Sequence, residues 1–124
     1  MRFLVATDSV HVTAAACDYL EERLAPDDTV VVVTVTEGNS RDAADALNVA
    51  NVRLVGQATV ETEQLDAEDT PANSILAAAE RRASDVIVLG ARRGRADAGV
   101  PIGTTIETVL AESDVPIVAV PVSV

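Results

Sequence analysis

The hydrophobic positions of the chain change rhythm repeatedly, from short continuous apolar runs to stripes spaced three and four residues apart. Arg2 to Thr7 (RFLVAT) is the first run, and it stops at Asp8-Ser9, where a polar side chain can cap a helix. From about Val10 to Leu24, Val12, Ala15, Ala16, Tyr19, Leu20 and Leu24 recur at helical spacing with Asp18, Glu21 and Glu22 on the other side. This predicts an amphipathic helix, broken at Pro26-Asp27-Asp28. Thr29 to Thr36 (TVVVVTVT) is β-branched and apolar on both faces, as an interior strand of a parallel sheet requires.

After the turn Glu37-Gly38-Asn39-Ser40, Arg41 to Val55 carries Ala44, Leu47, Val49, Ala50, Val52 and Leu54 in a weaker helical pattern that Gly56 ends. Ala58 to Leu65 (ATVETEQL) mixes polar and apolar residues in both alternating sets, the composition of an edge strand. Asp69-Thr70-Pro71 supplies a cap and an early proline, and Ile75, Leu76, Ala79 and Ala83 form the stripe of a third helix that ends near Ser84. Asp85 to Leu89 (DVIVL) reads as a buried strand, 90–102 as a loop, about Thr104 to Glu112 as a helix, and Val115 to Val122 (VPIVAVPV) as a fifth strand. The order βαβαβαβαβ predicts parallel strands, right-handed crossovers and helices on both faces, which is a doubly wound, Rossmann-like α/β fold in a single domain over residues 1–124.

Composition narrows what such a domain does. One Cys and one His among 124 residues are too few for a zinc cluster or a disulfide framework, and a core of this size holds without either. Twenty acidic against nine basic residues give a net charge of −11, which argues against nucleic acid or an anionic membrane as partner, since both need clustered cations. No apolar run approaches the ~20 residues of a membrane-spanning helix. Met1-Arg2 leads into a short strand-like run and then Thr7, Asp8 and Ser9, unlike a signal peptide, so the expected location is the cytoplasm. All nine cations are arginines and the aromatics are Phe3 and Tyr19, leaving Val, Ile, Leu and Ala to build the core. We read the acidic excess as a surface suited to a salt-rich cytoplasm, where a Debye length of ~3 Å at 1 M salt screens self-repulsion.

In an open parallel sheet a ligand sits beyond the carboxyl ends of the strands, where the strand order reverses. Those ends are Ala6-Thr7-Asp8, Val35-Thr36-Glu37 and Leu89-Gly90. Gly90 and Gly94 allow backbone conformations closed to other residues, and Gly103-Thr104-Thr105 opens a helix whose free N–H groups attract an anion. Arg92, Arg93 and Arg95 add charge to what would be a phosphate cradle. The same residues equally describe an ordinary surface loop, with Thr104 as a cap and the arginines paired to nearby acids. Asp8 is either the cap of the first helix or a carboxylate for a ribose hydroxyl or a metal-bridged phosphate. His11 reads as a surface imidazole and Cys17, beside Ala14, Ala15 and Ala16, as a small buried apolar residue. Lysine is absent, so there is no P-loop, and no Gly-x-Gly-x-x-Gly follows the first strand. No residue is assigned a catalytic or metal-binding role.

Four of these features together resemble the universal stress protein family over essentially the whole chain. They are the Asp8 that ends strand one, the second strand VVVVTVTE, the stretch DTPANSILAAAERRASDVIVLGARR, and the loop. ATP-binding members of that family carry Gly-x2-Gly-x9-Gly-(Ser/Thr). Gly90 and Gly103-Thr104 match its outer positions, whereas position 93 is Arg and a glycine follows at Gly94. The resemblance implies strand order 3-2-1-4-5, the adenine nucleotide alpha hydrolase-like form of the fold. It also implies a stress-response role and binding of ATP or AMP, with or without Mg²⁺. Adenine would meet the backbone near Val35 and ribose would lie near Asp8 and Gly90, between Ala6-Thr7 and Leu89. Phosphates would meet Arg92, Arg93, Gly94, Gly103, Thr104 and Thr105.

The last strand carries no charged side chain from Val115 to Val122, a composition that leaves an edge open to pairing. Pro116 and Pro121 restrict that pairing to the stretch between them. A homodimer through this strand is expected, and the family resemblance points the same way. Two other functions fit the pattern: a nucleotide-free dimeric signalling module of the same fold, and a flavoprotein subunit or nucleotidyl transferase of related topology.

Overall fold

Val30, Val31, Val32 and Val33 are all but inaccessible, because their strand is sandwiched within the sheet and covered by helices on both faces. A computed structural model describes residues 1–36, 40–66, 70–91 and 104–122. In chain order the elements are β1 (Arg2–Thr7), α1 (Val10–Glu21), β2 (Thr29–Thr36), α2 (Ser40–Leu54), β3 (Thr59–Asp66), α3 (Pro71–Arg81), β4 (Val86–Gly90), α4 (Thr104–Glu112) and β5 (Ile117–Val120). The strands are parallel and lie in the order β3-β2-β1-β4-β5, as expected.

Alternation along the strands divides the core in two. Leu4, Ala6, Val31, Val33, Ile87 and Leu89 pack beneath Ile75 of α3 and Val109 of α4. Phe3, Val5, Val30, Val32 and Val88 pack beneath Leu20 of α1 and Leu54 of α2. The edge strand β3 is faced with charge: Arg81 reaches Glu63 at 3.0 Å, and Arg82 reaches Glu63 at 2.8 Å and Glu61 at 3.5 Å.

Several boundaries differ from the sequence expectation. Helix α1 stops at Glu21 rather than near Leu24, since Ala25 precedes Pro26 and its N–H is taken by the Asp28 carboxylate at 2.8 Å. The buried stripe of α2 is Ala43, Ala46, Leu47, Ala50 and Leu54, whereas Ala44 is exposed and Val52 is 65% exposed. Strand β5 is only Ile117–Val120, because the flanking Pro116 and Pro121 have no N–H for a ladder. At the end of α3, Ala83 takes φ 52° while its N–H bonds the Glu80 carbonyl at 3.1 Å and the Ser84 N–H bonds that of Ala79 at 3.0 Å. This is a Schellman closure with Ala where Gly is usual. Ala83 is therefore exposed and does not extend the apolar stripe of α3.

Candidate functional site

Chain direction across the sheet reverses between β1 and β4: from β1 the chain crosses to β2, and from β4 it crosses to β5. The carboxyl ends of these two neighbours therefore bound a crevice that no crossover helix fills. Register sets what lies beneath it. Ala6 pairs with Leu89, and both side chains face the α3 and α4 side together with the half-buried Val35 of β2. Ala6 and Leu89 are buried in the core at this end of the sheet. Asp8 stands at the crevice rim with an exposed carboxylate, and Gly90 ends β4 opposite. An exposed carboxylate at the strand ends is an acceptor that a ligand hydroxyl can meet.

Thr7 has a different task. Its side chain points to the opposite face of the sheet, where Thr7 Oγ1 donates to the Ser9 carbonyl at 2.8 Å and accepts from Thr13 Oγ1 at 2.9 Å. The buried hydroxyls of Thr7 and Thr13 thus lock the β1–α1 turn and aim Asp8 outward. The cap of α1 is Ser9, whose Oγ accepts the Val12 N–H at 3.2 Å, which corrects the reading of Asp8 as that cap. Free of that duty, Asp8 keeps its carboxylate for solvent or a ligand. Sequence reading named both residues of the Asp8-Ser9 pair, and only the path of the turn distinguishes them.

Arg92, Arg93, Gly94, Arg95 and Gly103 lie outside the described residues. Thr104 is the first residue of α4 and Thr105 is half-buried in its first turn. By connectivity the N-terminus of α4 sits at the same end of the sheet as the crevice. His11 is exposed, and Cys17 is buried with its thiol pushed up to about 11 by desolvation, so it remains protonated and unreactive near neutrality. Among the described residues no group of three or more His, Cys, Asp or Glu could hold a metal ion. No helix of the described residues is long and apolar enough to cross a membrane.

A second depression, a groove of about 540 Å³, lies between α1 and β5, with Ala14, Ala15 and Tyr19 along one wall and Val118 and Val120 along the other. The five α1 residues that line it, among them His11 and Asp18, recur at spacings of three and four. Sequence reading placed part of this stripe in the core and did not find the groove, because nothing local indicates that β5 leaves its α1 side uncovered.

In a comparison with protein families, the model of the universal stress protein family matches residues 1–121. The chain belongs to the universal stress protein family. Solved structures agree on the fold of this universal stress protein. The one from Archaeoglobus fulgidus is 20% identical, covers 97% of this chain and 98% of its own, and superposes with a TM-score of 0.73. The same organism's universal stress protein in complex with dAMP is 20% identical, with 97% of each chain covered and a TM-score of 0.69. A universal stress protein in complex with cAMP is 18% identical over 99% of this chain and 98% of that one, with a TM-score of 0.75. At these identities the likeness is one of fold. Against curated proteins the sequence finds no match.

Proposed function

We propose that this universal stress protein binds an adenine nucleotide, ATP or AMP, in the crevice between the ends of β1 and β4, and serves a stress response in the cytoplasm. The observation that carries the reading is the reversal of strand order between β1 and β4, which leaves the exposed carboxylate of Asp8 at the strand ends with Gly90 at the end of the neighbouring strand. Adenine meets the backbone near Val35, and the ribose lies near Asp8 and Gly90. The phosphates meet Arg92, Arg93, Gly94 and Gly103, where Thr104-Thr105 begins α4 and its free N–H groups favour an anion. Mg²⁺ would accompany the phosphates and neutralise part of their charge. Family members crystallised with dAMP and with cAMP support the choice of an adenine nucleotide. No side chain is assigned to hydrolysis, and the reading is one of binding that leaves room for slow turnover of ATP. A homodimer through β5 completes the reading, because that edge is uncharged whereas the β3 edge is not.

Isothermal titration with ATP and AMP, each with and without Mg²⁺, tests the proposal. Saturable binding of at least one nucleotide is expected. Gly103→Val abolishes it, since a branched side chain blocks the backbone approach at the helix start. Arg92→Ala and Arg93→Ala weaken ATP more than AMP. A folded wild-type protein that binds neither nucleotide refutes the reading in favour of a nucleotide-free dimeric module, which Arg93 at the family's middle glycine position would suit.

A further inference from the structure

A single residue, Asp8, separates the end of β1 from the cap of α1, and its side chain is exposed at the crevice. An aspartate has two side-chain torsions, so its carboxylate stands where the backbone on either side of it allows. One hydroxyl joins those two sides. Thr7 Oγ1 accepts the Ser9 N–H at 3.3 Å and donates to the Ser9 carbonyl at 2.8 Å. Both polar backbone groups of the residue after Asp8 are thereby tied to the side chain of the residue before it.

A hydroxyl has one proton to give and two lone pairs to offer. The second lone pair of Thr7 Oγ1 takes the Thr13 hydroxyl, reaching over from α1 at 2.9 Å. Thr13 Oγ1 also lies 3.1 Å from the Ser9 carbonyl, but that oxygen already accepts the Thr7 hydroxyl and, at 3.1 Å, the Thr13 N–H. The Thr13 proton therefore belongs to Thr7, whose hydroxyl is then fully used. Thr13 is 0% exposed and Thr7 is 7% exposed, so water does not replace these bonds. Packing alone asks for no hydroxyl at either place. Thr13 sits in the buried stripe of α1 with Ala16, Cys17 and Leu20, and Thr7 follows Phe3 and Val5 along one face of β1, where valine has the same shape. What the hydroxyls add is a fixed path for the turn.

We propose that Thr13 is a positioning residue of the nucleotide site: through Thr7, its buried hydroxyl holds the Asp8 carboxylate where it meets the vicinal hydroxyls of a ribose, and so sets the preference for a sugar that carries them. This rests on the nucleotide reading above and assigns the sugar selectivity of that site. Thr13 touches no ligand, because it lies beneath the turn with no exposed surface. Its effect passes through the backbone of Asp8. Two neighbouring hydroxyls have to meet one carboxylate together, and a displacement beyond ~0.5 Å is enough to lose one of the two bonds. Without the Thr13 hydroxyl, Thr7 keeps its bonds to Ser9, so the turn still closes, but no bond then holds that closed turn against α1.

Calorimetric titration with AMP and with 2′,3′-dideoxyAMP reads the selectivity as a ratio of affinities. Both ligands meet the same folded protein, so a change of stability cancels from that ratio. Hydrogen bonds to a charged group predict a wild-type preference for AMP of about 10- to 100-fold. Asp8→Ala should bring the ratio near one. Thr13→Val is expected to leave a preference of about 2-fold, because the carboxylate no longer meets both hydroxyls. Thr13→Ser keeps the hydroxyl and should keep the wild-type ratio. Thr13→Ala, which adds no methyl, makes the same measurement should the valine variant fail to fold. A wild-type ratio retained in Thr13→Val or Thr13→Ala, or lost in Thr13→Ser as well, overturns the role of the Thr13 hydroxyl and leaves nucleotide binding standing. A wild-type protein that binds both ligands equally overturns the placement of Asp8 against the sugar, and this inference with it. Binding of neither ligand, nor of ATP, overturns the nucleotide reading itself.

Discussion

Thr34 offers the sharpest test of how this core is held. It lies on β2 at 2% exposure, on the α1 and α2 face in line with Val30 and Val32, and its Oγ1 finds no hydrogen-bond partner among the described residues. Burying a hydroxyl without a partner costs about 1–3 kcal/mol, whereas an apolar group of the same shape in that place costs nothing of the kind. Valine differs from threonine by one methyl for one hydroxyl and is equally at home in a strand. Thr34→Val is therefore expected to stabilise the protein by about 1 kcal/mol, which for a chain of this length is roughly a 4 °C rise in Tm. Urea denaturation followed by circular dichroism should show a higher midpoint with an unchanged slope. Thr7, its register neighbour on β1, is the control, since its hydroxyl serves Ser9 and Thr13. Thr7→Val should cost about 1–3 kcal/mol by stranding those groups. If Thr34→Val lowers the midpoint, the hydroxyl has a partner and the reasoning fails.

Ala83→Gly should raise stability by about 1 kcal/mol, because Ala at φ 52° bears a steric cost that glycine does not; a lower thermal midpoint would count against a strained Schellman closure. Ser9→Ala should lose about 1 kcal/mol with the α1 cap, whereas Asp8→Ala should leave stability within about 0.5 kcal/mol and weaken nucleotide binding in calorimetry. Arg81 and then Arg82 hold the Glu63 carboxyl below its ordinary value of 4.5. A depressed folded-state pKa gives stability that is present above that value and is lost as pH falls through the lowered one. Glu63→Gln should thus lower stability near neutrality, where that contribution is fully present, and flatten the profile below about pH 4.5, where the wild type loses it as well, as urea midpoints across that range will show. Val88→Ala, on β4 between β1 and β5, should cost about 2–4 kcal/mol through the cavity left in a fully buried site, read by the same urea midpoints; a loss under 1 kcal/mol would mean that the core collapses to fill it.

Rhythm and punctuation alone carried the chain a long way. The β-branched run at 29–36 could only be an interior strand, Thr70-Pro71 marked the start of α3, Gly56 with φ +82° marked the end of α2, and the element order required a parallel doubly wound sheet. These are short-range effects of sterics, missing donors and apolar spacing, which each segment carries within itself. The strand ends that frame the crevice were legible for the same reason. The register beneath them was not: Ala6 meets Leu89 only through a pairing between residues far apart in sequence. Nor could adjacency decide whether Asp8 or Ser9 caps α1, since that depends on where the buried Thr7–Thr13 pair holds the turn. The apolar face of α2 came out rotated from expectation because packing against the α1 side of the sheet, and not the most apolar stripe available, selects which residues are covered, leaving Val52 in solvent. The groove along α1 belongs wholly to tertiary structure, because a segment does not contain the information of what lies beside it.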